Sequence, residues 1–161
     1  MSTYTTSPPR VILSSFPHDP VPVSVNALLR VNGQPLTAHA CFPIVPSSSG
    51  NAVVINTEKL SATLTLYIHK HGYDDNDPDA AYPTLEGAIA GTTSIGCVEP
   101  FTVTTDPEEI QIQFTWTDLQ IRWPGRYRFK LNVEEYSEED LSHGRYYADV
   151  AEAWSPWFTV V

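Results

Sequence analysis

Residues 110–133 read IQIQFTWTDLQIRWPGRYRFKLNV, and their alternation limits what the chain can become. Ile110, Ile112, Phe114 and Trp116 fall on one side of an extended chain, with Gln111, Gln113, Thr115 and Thr117 on the other. Tyr127, Phe129, Leu131 and Val133 form a second apolar file, with Arg126, Arg128, Lys130 and Asn132 opposite. A period of two sustained this long belongs to half-buried strands, not to helices. Pro124-Gly125 between the files reads as a hairpin turn, because Pro fixes its own φ and Gly tolerates a positive one.

The rest of the chain fits that class. Residues 59–69 alternate with Ala62, Leu64, Leu66 and Ile68 inward and Thr63, Thr65, Tyr67 and His69 outward. Residues 23–31 read as a first strand, ended by Gly33-Gln34-Pro35, and 36–52 as irregular with a loop tip at 47–50. Residues 70–84 and 134–142 read as acidic loops, the second with a helical turn over 137–141. Residues 86–104 read as two short strands, 106–109 as a turn, and 146–150 and 157–161 as closing strands. Pro8, Pro9, Pro17, Pro20 and Pro22 bar a helix at the start. Residues 1–22 are therefore expected to be a flexible Pro-rich tail, touching the body through Val11, Ile12, Leu13 and Phe16, with 23–161 as one domain. About seven or eight short strands with Pro- and Gly-rich turns predict an all-β, antiparallel β-sandwich.

A length of 161 residues allows one domain with a real core, and 42% hydrophobic residues exclude wholesale disorder. No apolar run is long enough for a membrane-spanning helix, and no basic-then-apolar leader opens the chain. The expected location is intracellular, cytoplasmic or nuclear. Cys41 and Cys97 read as reduced thiols or one pair, not as a disulfide framework. Lys and Arg number 9 against 19 Asp and Glu, for a net charge of −10. Duplex DNA binding needs cations to displace counterions from phosphates, so this balance opposes it.

A set of residues also resembles a known family. Thr105-Asp106-Pro107-Glu108-Glu109-Ile110, Phe114, Asp118-Leu119, Ile121-Arg122, Gly125 and Tyr127-Arg128-Phe129-Lys130-Leu131 resemble the second half of the fungal velvet domain. Ser155-Pro156-Trp157-Phe158-Thr159-Val160 looks like that family's closing segment, and Val31-Asn32-Gly33-Gln34-Pro35 resembles its V-x-Q-Q-P, continuing to Ala38 and Cys41. The resemblance spans roughly residues 25–161. It implies an immunoglobulin/Rel-like sandwich, a role in fungal development and secondary metabolism, dimerisation with velvet proteins, and DNA contact through a basic segment after Q-P. The basic positions of that segment match Leu36, Thr37 and His39 here, so the cationic contacts are missing.

Candidate sites follow from residue type and spacing. Asp75, Asp77, Asp79 and Glu86 have the spacing of a calcium loop, but Ala80 stands where Gly is needed and Pro78 and Pro83 stiffen the segment. His69 and His71 could start a zinc site if Asp74 or Asp75 joined. Both features read more plainly as solvated surface, and no metal is expected. No Gly-rich phosphate loop or nucleophile elbow occurs, so no cofactor is expected either. Trp116 reads as core. Trp123, Trp154 and Trp157, with Tyr67, Tyr73, Tyr146 and Tyr147, either pack beneath loops or form a partner surface or the mouth of an apolar pocket.

The function expected is a velvet-like protein of secondary metabolism that has lost its DNA contacts and binds an apolar intermediate. Its boldest form is a cofactor-independent cyclase or isomerase that folds a polyene into a reactive conformer. Tyr67, His69 and His39 are then the catalytic candidates, as hydrogen-bonding groups, and Trp116, Trp123, Tyr73 and Trp154 the ligand-binding ones. The alternative is a regulatory dimerisation partner of a DNA-binding velvet protein, or a homodimer. A third reading gives Arg122, Arg126, Arg128 and Lys130 to DNA, against their plainer reading as the solvated face of a sheet.

Overall fold

The computed structural model describes residues 2–5, 10–43, 53–56, 60–84, 88–90, 101–106, 109–137 and 146–161. Every regular element among them is a strand. In chain order these are β1 (Ser2–Thr5), β2 (Arg10–Ser15), β3 (Arg30–Val31), β4 (Gln34–Pro43), β5 (Val53–Asn56), β6 (Leu60–His69) and β7 (Ala81–Pro83). There follow β8 (Ile89–Ala90), β9 (Phe101–Asp106), β10 (Glu109–Trp116), β11 (Gln120–Ile121), β12 (Gly125–Ser137), β13 (Tyr146–Trp154) and β14 (Phe158–Val160).

Two five-stranded antiparallel sheets dominate. One runs β2-β4-β10-β9 with β3 added on β4; the other runs β13-β12-β6-β7 with β14 added on β12. β1-β5 and β8-β11 are separate two-stranded ribbons. The strands outnumber the seven or eight expected partly because β3, β7 and β14 are only two or three residues long.

The supposed hairpin of residues 110–133 is not one. β10 pairs with β4 and β9, whereas β12 pairs with β6, β13 and β14. The two strands lie in different sheets and present their apolar files to each other through the core. Alternation reports which side of a strand is buried, not which strand lies beside it. Gly125 opens β12 instead of closing a turn.

Residues 23–43 differ from expectation in where the strand lies. Only Arg30–Val31 of the expected first strand is a strand, with single bridges at Val23 and Leu28. The segment read as irregular holds β4, a ten-residue strand central to its sheet. Leu36, Ala38, Ala40 and Phe42 are its fully buried side. Asn32 and Gly33, both at positive φ, form the tight turn that feeds it. Within the supposed tail, Arg10–Ser15 is a strand on the edge of β4. Phe16 is buried, with its ring centroid 6.2 Å from Trp116 in one sheet and 5.9 Å from Phe129 in the other. The expected contacts of Val11 and Leu13 are also seen, whereas Ile12 is exposed.

The core is shared by both sheets: Leu36, Phe42, Phe114 and Trp116 face Leu64, Leu66, Phe129 and Leu131. β6 behaves as its pattern predicts, alternating buried and half-buried residues. Tyr127 closes one end. Its hydroxyl donates to the Trp123 carbonyl four residues back at 2.9 Å, the arrangement called a tyrosine corner in immunoglobulin-like sandwiches. Gly125 matters there for space, not for φ, since an added Cβ would meet the Tyr127 ring at 3.1 Å and press on it.

Candidate functional site

β12 carries Arg126, Arg128 and Lys130 on the side opposite Tyr127, Phe129 and Leu131, which are buried. Beside it the chain leaves β13 at Trp154, turns through Ser155-Pro156 and delivers Trp157 before β14. Ser155, 4% exposed, explains the turn. Its N–H donates to the Phe129 carbonyl and its Oγ accepts the Phe129 N–H, both at 2.8 Å. The Ser155 hydroxyl in turn donates to the Pro156 carbonyl. The two indoles flanking this clamp take up positions against Arg128, whose guanidinium lies 4.2 Å from the Trp154 ring and 4.5 Å from the Trp157 ring. Lys130 adds a contact at 5.4 Å to Trp154, and Arg126 one at 5.7 Å to Trp157. Cations and indoles thus alternate along the outer face, each contact contributing about 0.5–2 kcal/mol. Burial lowers the Arg128 pKa from its ordinary value, with the Asp75 carboxylate acting in the opposite sense. An arginine keeps its charge at neutral pH under such shifts.

Carboxylates neutralise this stripe. Arg126 donates to both oxygens of Asp75, at 2.9 and 2.8 Å, and to Asp19 at 2.7 Å. Asp19 also accepts from Thr159, and Lys130 lies 3.3 Å from Glu152. The row is therefore neither a bare phosphate-binding patch nor a simple solvated face. His69 Nε2 sits 3.1 Å from Asp75, outside hydrogen-bond alignment, while its ring meets Trp157 edge-on at 4.8 Å. Asp75 is thus engaged within the protein, and Asp77 accepts the Asp79 N–H. Glu86, the last position of the calcium spacing, lies outside the described residues. Among the described residues no three metal-binding side chains converge.

The nominated residues divide between distant places. Tyr67, His69 and Trp154 share the outer face of one sheet, with Tyr67 and Trp154 edge-on at 4.7 Å. His39 lies on the outer face of the other sheet, 2.6 Å from Ser14 Oγ. No carboxylate orients that imidazole among the described residues, so the pair lacks the third member of an activated nucleophile. Trp116 is fully buried in the core, and its indole N–H has no acceptor among the described residues. Tyr73 is exposed and flanks Lys70 together with Tyr82, at 5.5 and 5.9 Å.

Trp123, among the described residues, borders a concave apolar site. Ile68, Tyr82, Thr84, Ala88, Trp123 and Tyr127 enclose about 230 Å³ at the end of β6. Trp123 is 47% exposed and Tyr82 45%, forming the rim. Two of the three hydroxyls in the wall are used inside the protein: Thr84 donates to the Leu66 carbonyl at 3.2 Å, and Tyr127 to that of Trp123, while the third, on Tyr82, belongs to the exposed rim. Burial also raises the Tyr127 pKa, keeping the phenol protonated. The wall offers apolar contact and no carboxylate, imidazole or amine. Sequence reasoning missed Tyr82 because it stood inside an acidic loop; the signal available was an aromatic residue beside Pro83. The side chains of Tyr146 and Tyr147, Cys97, the 47–50 tip and the 138–141 part of the helical turn lie outside the described residues.

Compared with known proteins, the chain matches no family model and no curated sequence.

Proposed function

We propose that this chain is a velvet-like, immunoglobulin/Rel-type β-sandwich that binds an apolar small molecule of secondary metabolism instead of duplex DNA. The observation that carries the reading is the pocket rimmed by Trp123 and Tyr82. Pockets for drug-sized ligands start near about 300 Å³, so this one takes a small apolar group or one end of a longer molecule. The tyrosine corner at Tyr127 supports the fold assignment. The carboxylate partners of Arg126 and Lys130 support the loss of phosphate binding. With no carboxylate, imidazole or amine in the lining, the site's chemistry is shape: cyclisation there would proceed by holding one conformer.

A thermal-shift screen with apolar polyenes tests this. At least one ligand should raise the melting temperature, and Trp123→Ala should remove the effect while remaining folded. A panel without any shift would sink the reading. Exposed Tyr73, Tyr82 and Trp123 also favour a second reading, a docking surface for a velvet-type partner. Co-elution with such a protein, lost in the same variant, separates the two.

A further inference from the structure

A second cavity lies apart from that pocket, in the irregular segment before β4. It encloses about 360 Å³, and its walls include Val21, Leu28, Val31, His18 and Arg30. Val21 and Leu28 are exposed, at 65% and 47%, so apolar surface is presented to solvent there.

Charge sets this cavity apart. The protein carries ten more acidic than basic groups, yet no Asp or Glu lines it. Arg30 donates to the carbonyls of Leu29 and Thr117. Among the described residues no carboxylate pairs with it, unlike Arg126 and Lys130. A guanidinium has five N–H donors, and two carbonyl bonds leave the others unspent while fixing the group in place. A half-buried cation without a counter-ion, already oriented, forms strong charge-assisted bonds with a carboxylate and loses little freedom in doing so. His18 adds a second nitrogen: its Nδ1 is 3.0 Å from the Asp19 carbonyl, which leaves Nε2 for a ligand.

We propose that this cavity is a binding site for an amphipathic monocarboxylate, with the apolar chain against Val21, Leu28 and Val31 and the carboxylate on Arg30. The site is separate from the Trp123 pocket, and its occupancy does not depend on that pocket binding anything.

The experiment compares octanoate with octanol on the full chain, by calorimetric titration and by methyl chemical-shift mapping. Octanoate should bind about tenfold or more tightly than octanol, perturbing the methyls of Val21, Leu28 and Val31. Arg30→Gln should bring octanoate down to the octanol level, Leu28→Ser should weaken both, and Trp123→Ala should leave the octanoate-induced shifts at Val21, Leu28 and Val31 in place. Equal binding of acid and alcohol, or perturbation centred on Ile68 and Ala88, overturns the proposal. So does a folded Arg30→Gln protein that binds octanoate normally. If Arg30→Gln fails to fold, the acid-to-alcohol ratio and the methyl map of the unmodified protein decide alone.

Discussion

Replacing Tyr127 by Phe deletes a single hydroxyl, but that hydroxyl ties the start of β12 to the Trp123 carbonyl. The loss should cost about 0.5–1.5 kcal/mol, read as a lower urea midpoint with an unchanged slope. The variant should also respond differently to alkali. Because burial raises the folded pKa of Tyr127 above its unfolded value, the folded state holds the proton longer. The group's contribution is thus complete below the ordinary value of 10.0 and is lost as pH rises through the folded one. Unfolding curves taken above pH 10.0 should fall more steeply for the natural protein than for Tyr127→Phe. Gly125→Ala acts on the same corner from the other side, forcing a Cβ 3.1 Å from the ring. Overpacking of this kind costs about 1–3 kcal/mol.

β4 is the element on which the first sheet depends, and its small residues set the spacing. Ala38 and Ala40 are fully buried between Leu36 and Phe42. Ala38→Leu should therefore destabilise by about 1–3 kcal/mol or more by thermal melting, although Leu is the more hydrophobic residue. Those alanines are also why the strand escaped notice, for a run of Thr, Ala and His carries little contrast between its two sides. β6, β10 and β12 were legible because large apolar residues alternate with polar ones. Their partners were not, since register across sheets leaves no mark on a single strand. The aromatic pocket was legible only through Trp123, because Ile68 and Tyr127 read as ordinary core and Ala88 carried no signal of its own. Nor did spacing reveal the clamp by which Ser155 sets Trp154 and Trp157 about Arg128, because it joins residues 26 apart.

Across the whole molecule, Arg126 gathers the segment holding Asp19, the loop holding Asp75 and β12 at one point. All three side chains are more than a third exposed or close to it, so solvent weakens their attraction. A double-mutant cycle on Arg126 and Asp75 should give a coupling of about 0.2–1 kcal/mol, smaller in high salt. With these cations engaged and the net charge at −10, a random duplex should migrate unretarded in a low-salt gel shift. A retarded band that added salt abolishes would reverse that expectation. The placement of β10 and β12 in opposite sheets reaches further still. β4 and β6 come from the earlier part of the chain, and each finds its main neighbour in the later part. A protease nick within residues 117–124 would sever the backbone without releasing a self-sufficient piece, because β12, β13 and β14 would belong to one fragment while β6 and β7, which complete their sheet, would belong to the other.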